Sequence, residues 1–199
     1  MSIIYTYGGN PYLNLTNRCP CRCVFCLRET QQGVGNATSL WHKKEPTWPE
    51  IEQALRAFDF SGAGEVVFCG YGEPTCALDN LKRTATWLRE HHSRLLLRLN
   101  TNGLADLFHG RPVTHELAGL IDSVSISLNA PNAVRYHELV RTKWGELAFT
   151  AMLQFARDCK THIPHVALSV VDVLSDEEIV QCQTIADELG LPLRVRAAE

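Results

Sequence analysis

Four cysteines, Cys19, Cys21, Cys23 and Cys26, fall within the stretch LTNRCPCRCVFCLR (15–28). Three of them, Cys19, Cys23 and Cys26, have the spacing C-x-x-x-C-x-x-C, with Cys21 between the first two. Three thiolates on one tight loop can ligate three corners of a cubane iron-sulfur cluster and leave the fourth iron without a ligand from the motif. An open metal position of that kind is a reaction site. A structural zinc wants a closed set of four ligands, usually two separated pairs, and no second pair with that spacing is present. All four cysteines around one zinc would crowd adjacent backbone. A disulfide cluster belongs to oxidising compartments.

Composition bears on that choice. The 199 residues are 45% hydrophobic, enough for a sizeable core, and one domain is expected over residues 1–199. A formal charge of -3, with no basic run longer than Lys43-Lys44, leaves no electrostatic footprint for nucleic acid or an anionic membrane. The opening MSIIYTYGGNPY lacks a signal pattern and no later segment is apolar for a membrane-spanning length, so a cytoplasmic location is expected. Cytosolic reductants then turn a dense cysteine cluster towards metal binding or catalysis.

The elements that must position these cysteines alternate in type. β-rich runs are YLNLT (12–16), EVVFCG (65–70), LLLRLNT (95–101), DSVSISLN (122–129), HVALSVVDV (165–173) and LPLRVRA (191–197). Thr47 to Glu50 and Ser175 to Glu178 have the capping-box form, each before an apolar stripe: Ile51, Ala54, Leu55 and Phe58, then Ile179, Cys182, Ile185, Ala186 and Leu189 with Gly190 as the stop. Further helices are expected near 78–91, 114–120, 131–140 and 146–160. Strands and helices in alternation specify an α/β fold with parallel strands. Six strands are too few for a closed eight-stranded barrel, which leaves an open doubly wound sheet or a partial barrel. Strand after strand ends in polar or glycine-rich residues, at the end where parallel sheets bind ligands.

With Phe25 as the aromatic of C-x-x-x-C-x-aromatic-C, the cysteine loop resembles the signature of the radical SAM enzymes. FCGYGEPT (68–75) resembles that family's glycine-rich motif in its G-x-G-E-P form, and LNTNG (99–103) and SISLNAP (125–131) resemble segments ending its third and fourth strands. The whole chain is most similar to the TatD-associated radical SAM proteins. The resemblance implies a partial (β/α)6 TIM-like barrel, a 4Fe-4S cluster on Cys19, Cys23 and Cys26, and S-adenosylmethionine (SAM) chelating the remaining iron. It further implies reductive cleavage of SAM to a 5'-deoxyadenosyl radical that takes a hydrogen atom from an unidentified substrate. A flavodoxin- or ferredoxin-type protein is the implied electron donor. By the same resemblance Phe25 lies beside the adenine, and the Gly70, Tyr71, Gly72 and Glu73 backbone meets the methionine amino group, with the Glu73 carboxylate as a further acceptor. Ser127, Asn129, Asn100 and Asn102 supply polar contacts to ribose and carboxylate. Val171 and Asp172 are placed near the adenine by position alone.

Two other functions use the same cysteines, an iron-sulfur electron carrier and a zinc-stabilised interaction module. A carrier needs no G-x-G-E-P segment, and its ligand set would be incomplete here. Elsewhere, Cys159 and Cys182 fall on apolar helix faces and are expected as buried thiols. Cys69 and Cys76 flank the glycine motif, either as core or rim thiols or facing the cavity as a hydrogen-atom donor or an extra ligand. Cys21 is open to the cluster edge, a substrate or solvent. His91 and His92 close a helix, where cations suit the dipole. Arg194 and Arg196 share one face of the last strand, either aimed inward at an anion or guarding an edge. Trp41, His42, Lys43 and Lys44 belong to a long loop after the cysteines, either over the active site or on the surface.

Overall fold

The computed structural model describes residues 2–197. The chain divides into two compact units interleaved along the sequence. One comprises residues up to Cys19, Leu27–Asn100 and Gly119–Asp122; the other comprises Pro20–Cys26, Thr101–Ala118 and the chain from Ser123 onward.

In the first unit, β1 (Ile4–Tyr7) turns back through Gly8 and Gly9 and pairs antiparallel with β2 (Asn10–Leu13). Both glycines have positive φ (56° and 82°), which lets the hairpin close in two residues. β2 then pairs parallel with β3 (Glu65–Phe68), and β3 parallel with β4 (Leu96–Thr101). Val66, Val67 and Phe68 are all buried, as befits a strand covered on both faces. α1 (Trp48–Ala57) begins at its expected capping box, where the Glu50 carboxylate accepts from the Thr47 amide at 2.9 Å, and it buries Ile51 and Leu55. α2 (Leu78–His91) buries Leu81, Ala85, Trp87 and Leu88. Its Arg89 bridges to Asp122 at 2.7 Å, and that carboxylate also accepts from the Leu97 amide at 2.7 Å.

The second unit carries β5 (Ser123–Ser127), β6 (His165–Val171) and β7 (Leu193–Arg196), paired parallel in that order. α3 (Ala105–His109) follows Asn102 and Gly103. α4 (Ala133–Val140) starts where the Asn132 side chain accepts from the Arg135 amide, and α5 (Leu147–His162) buries Met152, Phe155, Ala156 and Cys159. α6 (Asp176–Leu189) has the expected reciprocal cap between Ser175 and Glu178 and ends at Gly190 with φ 61°.

The six expected strands and the long helices are present, and the class is α/β with parallel strands. Three local differences stand out. β1 is an added antiparallel strand. The expected helix near 114–120 is a single 3-10 turn, Thr114–Leu117. The short α3 was absent from the periodicity because five residues carry too little pattern.

Candidate active site

The segment that delivers the chain to Cys19 is held by side chains of residues 14–17 and by the loop 40–45. Asn14, fully buried, uses both ends of its amide: Nδ2 donates to the Leu40 carbonyl at 2.6 Å, and Oδ1 accepts from the Tyr71 amide at 3.3 Å. Its own carbonyl accepts from His42 Nε2 at 2.9 Å. Asn17 and His42 are joined reciprocally, Asn17 Nδ2 to the His42 carbonyl (2.7 Å) and the His42 amide to Asn17 Oδ1 (3.0 Å). Glu45 closes the set: Oε2 accepts from the Thr16 hydroxyl (2.5 Å), Oε1 accepts from the Asn17 amide (3.0 Å), and Arg18 pairs with the same carboxylate at 3.4 Å. The 41–44 loop is therefore a strap along the exit of β2. His42 is a buried fastening within it, and burial keeps its imidazole pKa below the usual value.

The glycine motif packs onto that same exit. A Cβ on Gly70 would stand 2.1 Å from Asn14 Oδ1, and one on Gly72 would stand 2.1 Å from the Thr16 carbonyl oxygen. The glycines thus permit the close approach of their loop to the chain's own first loop. The Glu73 amide completes the joint by donating to the Arg18 carbonyl at 2.8 Å. Tyr71 turns its ring into a cluster with Tyr5, Ala37 and Leu40, and its hydroxyl donates to the Gln31 carbonyl at 2.5 Å. Glu73 is buried and caps its own 3-10 turn, accepting from the Thr75 amide and hydroxyl at 3.2 and 2.8 Å. Cys76 is buried, and burial, with the Glu73 carboxylate and Cys19 nearby, pushes its thiol pKa well above the ordinary range.

Within the second unit, the Arg22 and Val24 amides donate to the Val140 and Leu139 carbonyls at 3.0 and 2.9 Å, so the loop is docked on the last turn of α4. Cys23, Phe25 and Cys26 are half-buried, as is Cys19 in the first unit, and none of the three thiols is in a disulfide. Cys21 is buried, with the Asn102 amide nitrogen 3.4 Å from its sulfur, so it is no solvent-facing thiol. Asn102 Oδ1 accepts from the Leu104 amide at 3.0 Å, forming the turn into α3. Among the described residues no group of three or more Cys, His, Asp or Glu side chains stands ready to hold a metal ion.

The other strand exits differ from that of β2. Asn129, two residues past β5, is buried with φ 55°, and its Oδ1 has no hydrogen-bond partner. Asn100 Oδ1, in β4, is also buried without a partner. Ser127 is half-buried at the end of β5, and Val171 is buried at the end of β6. Asn100 Oδ1 and Asn129 Oδ1 are each a buried acceptor of the kind that a donor-bearing ligand satisfies.

Cys159 and Cys182 are buried as expected; burial raises both pKa values, that of Cys182 to about 12. His91 closes α2, its Nδ1 2.8 Å from the Trp87 carbonyl. Arg194 and Arg196 lie exposed on β7, which fits strand protection better than a buried anion site. The sequence reading missed Asn14, Thr16, Asn17 and Glu45 as a group. Their long-range pairing carries no periodic signal, although three polar residues packed into NLTN after an apolar strand hint at satisfied buried groups.

A family profile described as the Radical SAM superfamily matches residues 13–182. The chain belongs to that superfamily. It is an enzyme of the radical SAM type, and the superfamily uses a 4Fe-4S cluster and SAM. A GTP 3',8-cyclase of Pelotomaculum thermopropionicum is 30% identical over 94% of this chain, but the chain spans only 54% of that relative. Two solved structures share the fold. One is "Native anSMEcpe with bound AdoMet" (TM-score 0.66, 15% identity, 94% of this chain and 50% of that one). The other is SuiB of Streptococcus suis bound to S-adenosylmethionine (TM-score 0.64, 16% identity, 94% and 38%). The relatives are not specifically TatD-associated proteins. No helix among the described residues is long and apolar enough to cross a membrane.

Proposed function

We propose that Cys19, Cys23 and Cys26 hold the 4Fe-4S cluster and that the protein cleaves SAM reductively to abstract a hydrogen atom from its substrate. The observation that carries this reading is the superfamily match over 13–182, which runs through both C-x-x-x-C-x-x-C and G-x-G-E-P. When bound, the cluster and SAM supply the one-electron chemistry that generates a 5'-deoxyadenosyl radical. The chain's residues bind and orient. The backbone of Gly70, Tyr71, Gly72 and Glu73 meets the methionine amino group, Asn129, Asn100, Asn102 and Ser127 contact ribose and carboxylate, and Phe25 and Val171 flank the adenine. Buried, unpartnered Asn129 Oδ1 and Asn100 Oδ1 support these asparagines as acceptors for a donor-bearing ligand.

A TatD-associated type of radical SAM protein, a cytoplasmic setting and a flavodoxin- or ferredoxin-type reductant complete the proposal. A second reading takes a guanine nucleotide as substrate, and its support is the cyclase name of the 30% identical relative. Anaerobic reconstitution with iron and sulfide, followed by dithionite and SAM, should release 5'-deoxyadenosine. Cys23→Ala should abolish cluster assembly, and an intact cluster in that variant rejects the ligand set. Adding GTP should change the product profile only under the second reading.

A further inference from the structure

We infer that Glu45 is a positioning residue for Cys19, acting through Thr16 and Arg18. One carboxylate meets three consecutive residues immediately before the cysteine: the Thr16 hydroxyl at 2.5 Å, the Asn17 amide at 3.0 Å and the Arg18 guanidinium at 3.4 Å. Thr16 is buried, and its oxygen, having given its proton to Glu45, accepts from the Arg18 amide at 3.0 Å and from Arg18 Nε at 3.4 Å. A hydroxyl has one proton, so an anionic acceptor on one side fixes which lone pairs face Arg18 on the other.

The Arg18 carbonyl accepts from the Glu73 amide at 2.8 Å, so the residue leading into Cys19 is restrained at its amide and at its carbonyl. Glu45 itself is exposed, and its ion pair with Arg18 lies at the surface, where such pairs contribute little stability. Its worth lies in the orientation it imposes on a buried hydroxyl and a backbone amide. Glu45 is brought to this point by the strap fastened through His42, whose carbonyl and amide are both tied to Asn17. Loss of the carboxylate frees the entry to Cys19 and leaves Cys23 and Cys26, which follow in the loop docked on α4, as they were.

The inference rests on Cys19 being a cluster ligand, and its test separates the two claims. In metal-free protein, alkylation rates are read for each cysteine by peptide mass spectrometry in parent, Glu45→Ala, Thr16→Val and Glu45→Gln. Glu45→Ala and Thr16→Val should accelerate Cys19 by about fivefold, the ratio expected for one lost hydrogen bond, with Cys23 and Cys26 unchanged. Glu45→Gln, which keeps an acceptor for Thr16, should stay near the parent. An unchanged Cys19 rate in both of the first two variants, or a parallel rise at Cys19, Cys23 and Cys26, overturns the inference. Iron content after reconstitution of the parent is the separate readout: a parent that takes up no iron rejects the ligand assignment and leaves the alkylation result standing.

Discussion

Asn14 and Asn129 both follow a strand and are both buried, yet they are opposite in their bonding. Asn14 satisfies the Leu40 carbonyl and the Tyr71 amide, and its own carbonyl receives His42. Asn129 keeps a buried Oδ1 with no partner and sits at φ 55°, a conformation that asparagine tolerates better than most residues. Buried polar groups are normally hydrogen-bonded, so the first asparagine reads as framework, and the orphaned second one fits the ligand contact proposed for it. The two exits teach that a polar strand terminus is not by itself a binding residue. Satisfaction of its hydrogen bonds is what separates the roles.

The comparison breaks most readily at Asn14. Asn14→Ala leaves the Leu40 carbonyl and the Tyr71 amide without their partner, and should cost about 2–4 kcal/mol in denaturant unfolding. A cost within about 0.5 kcal/mol would remove the framework role. Next in size, Gly72→Ala forces a methyl against the Thr16 carbonyl and should cost about 1–3 kcal/mol, read by the same titration.

Asn129→Gly sharpens the other side. Glycine accepts the positive φ without strain, so stability should change by less than about 1 kcal/mol while SAM affinity of the reconstituted protein falls about tenfold in calorimetry. Equal affinity would make Asn129 an unexplained orphan. The smallest effect belongs to His42. With Nε2 donating to the Asn14 carbonyl and Nδ1 buried without a partner, protonation places an unpaired charged donor inside, which is why burial lowers its pKa. The unfolded chain then takes up the proton first. Stability from this residue is full above the ordinary value of 6.5 and is lost as pH falls below it towards the depressed folded value. His42→Asn should flatten that limb of the stability profile.

Much of the scaffold was legible because its signals are local. The capping boxes at Thr47 and Ser175 and the burial of Cys159 and Cys182 follow from spacing along a few turns, and the structure shows them. The strap was not legible. Its bonds join residues separated by 25 to 29 positions, and nothing in WHKKE distinguishes a fastening histidine from a surface one. The glycine motif was legible as a close approach, but the partner it approaches within the chain is the Asn14 to Arg18 segment, a contact only the fold reveals. For Cys21 the sequence offers cluster edge, substrate or solvent, and the structure removes the last by burying it beside Asn102. The TatD-associated likeness carried more detail than the relatives bear, since a whole-chain resemblance does not isolate the residues that would separate one subgroup from another.

The central claim is that a three-thiolate loop leaves one iron for SAM to occupy. Electron-nuclear double resonance on the reduced, reconstituted protein with SAM labelled by nitrogen-15 at its amino group reads that contact directly. A hyperfine coupling to the labelled nitrogen is the predicted result; a reduced cluster that shows none, its spectrum unchanged by SAM, would contradict the account.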